Sequence, residues 1–395
     1  MKDKNIIKFQ IFYFFQIGAV GCFIPYINVY LEKSIGLTGS QIGLLTAISL
    51  ILGVCVIPLW GIAGDKTRKY NLLLMSSLAS SIVILYFYSK QTVYAGVLIF
   101  ALLLEIARLG SGPMADTITM NYTAKHNGNY GSIRGMGSLG YVIGSMAVGF
   151  LADKYGLDGP LFTSYILLLG LAFLLCLSFP KTDIQGEDEK PQKGNFKELL
   201  TNKNFIFMLL IVMMTQIVID SSGAYAGNHL VSTLKGSNSL ISWLTFAQVV
   251  PEIVFLMVSS QLIKKVGYKK FILIGAIPMA IRLFTYALIP NAYVFVFISI
   301  VHCLGVGIST VASLAYIKES VNPAVFGTAV TLLNAAMSIA KAIYGYVFGF
   351  IYQYLGSDKI FLFSGVIVVV CIIMVLFTKR FDEADKKIKE QQLIQ

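Results

Sequence analysis

Twelve apolar stretches, each long enough to cross a bilayer, recur along this chain of 395 residues and leave little room for any other kind of structure. Hydrocarbon is about 30 Å thick and a helix rises about 1.5 Å per residue, so one crossing takes ~20 apolar residues. The stretches fall near 7–31, 41–64, 70–89, 92–122, 131–152, 160–180, 203–232, 239–264, 270–289, 291–319, 324–350 and 358–379. Composition agrees: 56% of residues are hydrophobic and 13% charged, where soluble domains carry about 25% charge. The expected fold class is an all-α membrane protein of twelve transmembrane helices. Lys2, Lys4 and Lys8 precede the first stretch as in a signal peptide. That stretch is too long for a cleaved h-region and lacks a small-residue cleavage site, so it is expected to be retained.

Cytoplasmic loops collect Lys and Arg. With the N-terminus inside, inner segments hold 23 of the 31 basic residues, outer loops hold five (Lys33, Lys90, Lys154, Lys235, Lys359) and three lie within spans (Arg108, Arg282, Lys341). Both termini are therefore expected in the cytoplasm and the chain in the cell membrane. The net charge of +11 is distributed over five inner loops and two tails rather than gathered in a patch, so no nucleic-acid partner is expected. Cys22, Cys55, Cys176, Cys303 and Cys371 fall singly inside apolar spans, with no C-x-x-C and no His/Cys cluster, which argues against a disulfide framework or a metal centre.

The chain repeats itself. Residues 42–46 (IGLLT) recur as 241–245 (ISWLT), and 149–156 (GFLADKYG) recur as 349–356 (GFIYQYLG). A six-span repeat restores orientation, so the halves are parallel and the cavity is expected between them. Residues 1–180 form the expected N-terminal bundle and 203–380 the C-terminal one. Between them, 181–202 carries a charged run from Asp183 to Lys193 with Gly186, Pro191 and Gly194, which suits a cytoplasmic linker. Residues 381–395 read as a cytoplasmic tail.

Gly61, Gly64, Asp65, Lys66, Arg68 and Lys69, between the second and third spans, resemble the signature loop of the major facilitator superfamily. A second copy, Lys264, Lys265, Gly267, Lys269 and Lys270, keeps the spacing but puts Lys264 where the acid belongs. Within the superfamily the chain is similar to the lactose permease group and the related oligosaccharide and nucleoside proton symporters, without gaps from Pro113 to Tyr141. The resemblance implies alternating access by two six-helix halves about a midplane site. It further implies that Asp65 bonds to a neighbouring helix and holds the outward-facing state, so the gating motif is Gly61, Asp65, Lys66 and Arg68. A solvated loop charge is the plainer reading of Asp65.

Ionisable groups are costly in hydrocarbon and usually functional there. Asp116, late in the fourth span, and Arg134, at the start of the fifth, lie on antiparallel neighbours and can form a bidentate pair with capacity left for solute hydroxyls. The resemblance places them at the group's sugar-binding acid and arginine, and Tyr141 at its ring-stacking aromatic. A helix clamp and a packing aromatic are the alternatives. Glu252 and His302, in the eighth and tenth spans, read as a carboxylate and histidine able to handle a proton. The resemblance makes Glu252 the acid that links sugar to proton, and puts Gly305 where the group carries its principal proton-bearing glutamate. Proton release then falls to Glu252, Asp220 or Asp116, unless the protein is a uniporter or couples to another ion. Arg282 matches an arginine near the proton site. Asp220 and Lys341 match an intramembrane charge pair, with stability as the alternative role. Glu105 and Arg108, three apart on one helix, can pair, and Gly135, Gly137, Gly140 and Gly144 suit close helix packing at a moving interface.

The expected function is secondary active, proton-coupled uptake of a small polyhydroxylated solute such as a sugar or oligosaccharide. The alternatives are nucleoside or aromatic-acid symport, or drug antiport. The expected partners are that solute, protons and the lipid bilayer, for a monomer with no cofactor beyond the proton gradient. No H-E-x-x-H or G-x-S-x-G motif supplies catalysis, so an enzyme is not expected.

Overall fold

In the computed structural model the chain is a succession of helices, with no strand among the described residues, which are 3–126, 128–180, 196–322, 325–382 and 384–386. Of 196, 197, 217, 218 and 220–222 only the backbone is described. The long helices, numbered in chain order, are α1 (Lys4–Lys33), α2 (Gly39–Thr67), α3 (Tyr70–Tyr88), α4 (Tyr94–Lys125), α5 (Tyr130–Tyr155), α6 (Asp158–Cys176), α7 (Lys203–Asn228), α8 (Asn238–Val266), α9 (Tyr268–Leu288), α10 (Ala292–Ser320), α11 (Phe326–Leu355) and α12 (Ser357–Phe377). Eleven are long and apolar enough along their described residues to cross a membrane; in α7 the described apolar part is Lys203–Gln216. This is the all-helical membrane architecture that the apolar stretches imply.

Packing divides the chain into two units, 1–188 with 236–245, and 189–235 with 246–395. Residues 181–195 of the expected linker lie outside the described ones, and 236–245, expected in the C-terminal bundle, count with the first unit. Both copies of the repeated octapeptide end a helix in the same way. Gly156 (φ 81°) follows α5 and Gly356 (φ 95°) follows α11, a backbone region that side chains rarely enter and that closes helices.

In the first unit α1 lies along α5 with backbone against backbone. A Cβ at Gly140 would overlap the Phe14 carbonyl oxygen, one at Gly144 the Gly18 oxygen, and one at Gly21 the Tyr141 oxygen. Gly137 faces the Ile17 side chain, whereas Gly135 has open space around it. The glycine run is thus spent inside one unit, on α1 against α5, and not at a moving interface; Gly135 takes no part. Asp3 caps α1, and its carboxylate also accepts from Tyr122 of α4 at 2.7 Å. The Asn5 N–H and the Tyr122 hydroxyl hold that carboxyl below the usual range. The first turn of α8 belongs to this unit too: Asp153 at the end of α5 accepts from the Asn238 and Ser239 N–H groups at 2.7 and 3.1 Å. An acid there complements the positive end of the helix dipole.

In the second unit α9 packs along α12, and α7 against α11 and α12. Helix α10 is irregular, with a 3-10 turn at Ser299–Val301 and a π turn at Ile308–Ala312 on either side of His302–Gly307. The start of the tail is folded onto this unit. Phe381 is fully buried, Tyr316 donates to the Arg380 carbonyl at 2.9 Å, and the Arg380 guanidinium lies 5.5 Å from the Phe207 ring centre. Asp385 accepts from the Tyr268 N–H at 2.6 Å and caps α9.

Candidate functional site

Helix α4 is broken at Leu109 and Gly110, between Tyr94–Arg108 and Ser111–Lys125. Pro113 has no N–H to offer the Leu109 carbonyl, and the bare Gly110 lets the Trp60 ring close over it, since a Cβ there would overlap the indole. Trp60 donates to the Ile106 carbonyl at 3.0 Å, which fixes the break against α2. Asp116 stands near the start of the second piece, and Arg134 near the start of α5.

The two meet, but not as the bidentate pair their sequence positions allow. Arg134 Nε lies 3.9 Å from Asp116 Oδ1, a charge contact too long for a hydrogen bond, and the side chains remain 49% and 35% exposed. The partner that grips Asp116 is Tyr13, whose hydroxyl donates to Oδ1 at 2.6 Å. Tyr13 is buried, and its ring centre lies 5.6 Å from the Arg134 guanidinium. Nothing in the sequence reading singled out Tyr13; the available signal was a lone hydroxyl-bearing ring among phenylalanines, since a buried tyrosine hydroxyl seeks a partner. Tyr141, seven residues after Arg134 and so on the same face of α5, is half-buried, and its backbone abuts Gly21. Glu105 and Arg108 make a bidentate pair within α4, both contacts 2.6 Å, so Glu105 is bound to its own helix neighbour.

A second polar group sits in the other unit. His302 is partnered by Arg282, whose Nη1 lies 3.1 Å from His302 Nδ1. A guanidinium only donates, so Nδ1 accepts and the imidazole is neutral with its proton on Nε2. Arg282 is 1% exposed, rests against the Tyr286 ring at 5.1 Å, and its buried Nε finds no partner. The half-buried Glu252 of α8 lies within electrostatic reach of Cys303 on α10, as does Arg282. Gly305 has a packing reason: a Cβ there would overlap the Met279 sulfur and stand 3.2 Å from Ile219, both buried apolar side chains. The place where the resemblance expects an acid is filled by Met279. Lys341 is half-buried on α11, and the Asp220 side chain lies outside the described residues, as does any pairing between them.

At the end of α2, Arg68 (φ 55°) turns the chain, and Asp65 accepts from the Tyr70 hydroxyl of α3 at 2.7 Å. Gly64 admits the Tyr70 ring, Gly61 has open space around it, and Lys66 and Arg68 are exposed. The acid of this motif is thus satisfied across the turn between α2 and α3.

A sequence model of the MFS_1 like family matches residues 6–363. The chain belongs to that family. Members of this kind are membrane transporters and not enzymes, and the relatives agree. The chain is 26% identical over 374 residues to the maltose permease of Geobacillus stearothermophilus, covering 94% of each chain. It is 22% identical over 374 residues to the sucrose permease of Escherichia coli, covering 89% of this chain and 88% of that one. In fold it is similar to the crystal structure of the nucleoside transporter NupG, with a TM-score of 0.84 over 95% of this chain and 98% of that one, at 15% identity. The major facilitator fold and a role as a multi-pass membrane transporter of this family therefore stand, as the sequence implied.

Proposed function

We propose that this MFS_1 like transporter carries a small neutral polyhydroxylated solute, a sugar or oligosaccharide, inward with a proton by alternating access. The observation that carries the reading is the loose Asp116–Arg134 pair: an acceptor and a donor of opposite charge, 3.9 Å apart and both well exposed. Neighbouring hydroxyls of one ring each donate and accept, so one can satisfy the carboxylate and the next the guanidinium. A neutral solute leaves the pair's charge balanced, whereas an anion would want the cation alone. Sugar permeases at 26% and 22% identity along nearly the whole chain support the same solute class. Tyr141, on the Arg134 face of α5, supplies an aromatic surface for a sugar ring.

The proton is carried at Glu252. His302 is occupied as an acceptor for Arg282, Gly305 offers no acid, and Glu252 is a carboxylate within electrostatic reach of Cys303, the neighbour of His302 that Arg282 also reaches. Asp220 and Lys341 neutralise each other, Asp65 gates at the cytoplasmic side with both termini, and the protein works as a monomer in the cell membrane, powered by the proton gradient alone. Counterflow in proteoliposomes against maltose, sucrose, nucleosides and 3-phenylpropionate, with and without a proton gradient, tests the reading. Maltose or sucrose exchange accelerated by the gradient is expected, and Glu252→Gln should exchange solute yet ignore the gradient. Exchange of nucleosides alone, or no gradient effect on any solute, overturns it.

A further inference from the structure

We infer that Tyr13 is the positioning residue of the solute site: its hydroxyl holds Asp116 off Arg134, so that acid and cation stay available as separate partners for adjacent hydroxyls of one solute. The inference deepens the reading above and rests on it for the solute class only.

Asp116 also interacts with the Tyr130 hydroxyl at the start of α5, and its contacts to Tyr13 and Arg134 are of unequal quality. A hydroxyl donating to a carboxylate at 2.6 Å is in the short, strong range of charge-assisted bonds, and its donor is a buried side chain with little freedom to leave. The Arg134 contact at 3.9 Å joins two exposed groups and is worth little. Left to themselves, a guanidinium and a carboxylate on neighbouring helices would close into a bidentate fork, which is the geometry both groups prefer. Tyr13 prevents this in two ways. Its hydroxyl occupies Oδ1, the oxygen nearest Arg134, and its ring centre lies 5.6 Å from the guanidinium, which holds Arg134 from the side. Tyr13 can do so because α1 runs against α5 with backbones touching at Gly140 and Gly144, and is tied to α4 through Asp3, Asn5 and Tyr122. One residue on α1 thereby sets the spacing of Asp116 on α4 and Arg134 on α5.

Tyr13→Phe keeps the ring and removes the hydroxyl, so Asp116 becomes free to swing onto Arg134. Two readouts on the full-length protein separate this role from a structural one. The first needs no solute: the rate at which phenylglyoxal modifies Arg134, followed by mass spectrometry. It should fall several-fold in Tyr13→Phe, because a fork-bound guanidinium is shielded, and recover in the Tyr13→Phe, Asp116→Asn double variant. The second is maltose affinity, which should weaken about tenfold, the worth of one charge-assisted hydrogen bond. The preference for maltose over its monodeoxy analogues should shrink with it, whereas a general packing defect would weaken all of them alike. Tyr13→Leu also removes the donor and gives the same direction should the phenylalanine variant fail to accumulate. An unchanged or faster Arg134 modification in both variants overturns the inference. A slowed modification in a protein that binds no sugar leaves Tyr13 in this role and overturns the solute class instead.

Discussion

Replacing Asp116 with asparagine changes no shape and removes one charge, so its effect can be worked out from the contacts. Oδ1 is taken by the Tyr13 hydroxyl at 2.6 Å, and an asparagine carbonyl oxygen can accept the same bond. What then faces the solute is an amide NH2, a donor where the wild type has an acceptor. A solute hydroxyl that donated to the carboxylate loses a charge-assisted bond worth ~1.5–3 kcal/mol, and no equivalent replaces it. At about 1.4 kcal/mol per decade this is roughly a 10- to 100-fold rise in Kd for maltose. Stability should respond far less. The Arg134 contact is long and both heads are exposed, which puts its worth at ~0–1 kcal/mol and its loss at no more than a few degrees in Tm. Equilibrium maltose binding by titration calorimetry, beside thermal unfolding in the same detergent, separates the two. Full maltose affinity in the Asp116→Asn protein would refute the site. So would an affinity loss that merely follows a large drop in Tm.

Asp65→Asn weakens the bond from Tyr70 across the α2–α3 turn, and should slow counterflow turnover more than it weakens equilibrium binding; equal losses would argue against gating. Gly140→Val drives a side chain into the Phe14 carbonyl, which is backbone and cannot step aside, so a loss of at least ~1–3 kcal/mol is expected in thermal or denaturant unfolding. Gly135→Ala, with nothing near its Cβ, should be neutral or gain a few tenths of a kcal/mol up to about 1; similar losses in both would mean that backbone contact is not what the glycines serve. Asp385→Ala removes the cap of α9 and should cost ~1 kcal/mol, seen as faster proteolysis of the tail after Arg380; an unchanged cleavage rate would show that Arg380 and Phe381 hold the tail without it.

The spans were legible because their signal is local: an apolar run of membrane length admits a helix and little else, whatever surrounds it. The same holds for the helix stops at Gly156 and Gly356, where the repeat preserves the residue that positive φ demands. Pairings across helices were legible only where two charges stand on neighbouring antiparallel spans, as Asp116 and Arg134 do. Their geometry was not, because it depends on Tyr13, more than a hundred residues earlier, and on how closely α1 approaches α5. The glycine run announced close packing but not its target. The match of His302 to a histidine with an acid partner did not announce its contact with Arg282, because chemistry at a position is set by what fills the space beside it. Here Met279 fills the space over Gly305, and Arg282, twenty residues from His302, supplies the contact.

That substitution has a consequence for coupling. An arginine stays charged, and one that is 1% exposed needs a compensating negative charge nearby. His302 cannot provide it, since it accepts from Arg282 as a neutral ring, and protonating it at Nδ1 would set two positive groups against each other. Where the resembled group spreads the task over a third carboxyl, Gly305 removes that option, so on the proposed reading the charge on Glu252 and the balance of Arg282 are one variable. On that reading, protonating Glu252 would leave Arg282 under-compensated, and releasing the proton would restore the balance. Proton and conformation would then be tied together by two charges and a neutral acceptor, without the acid that the resemblance expects at Gly305.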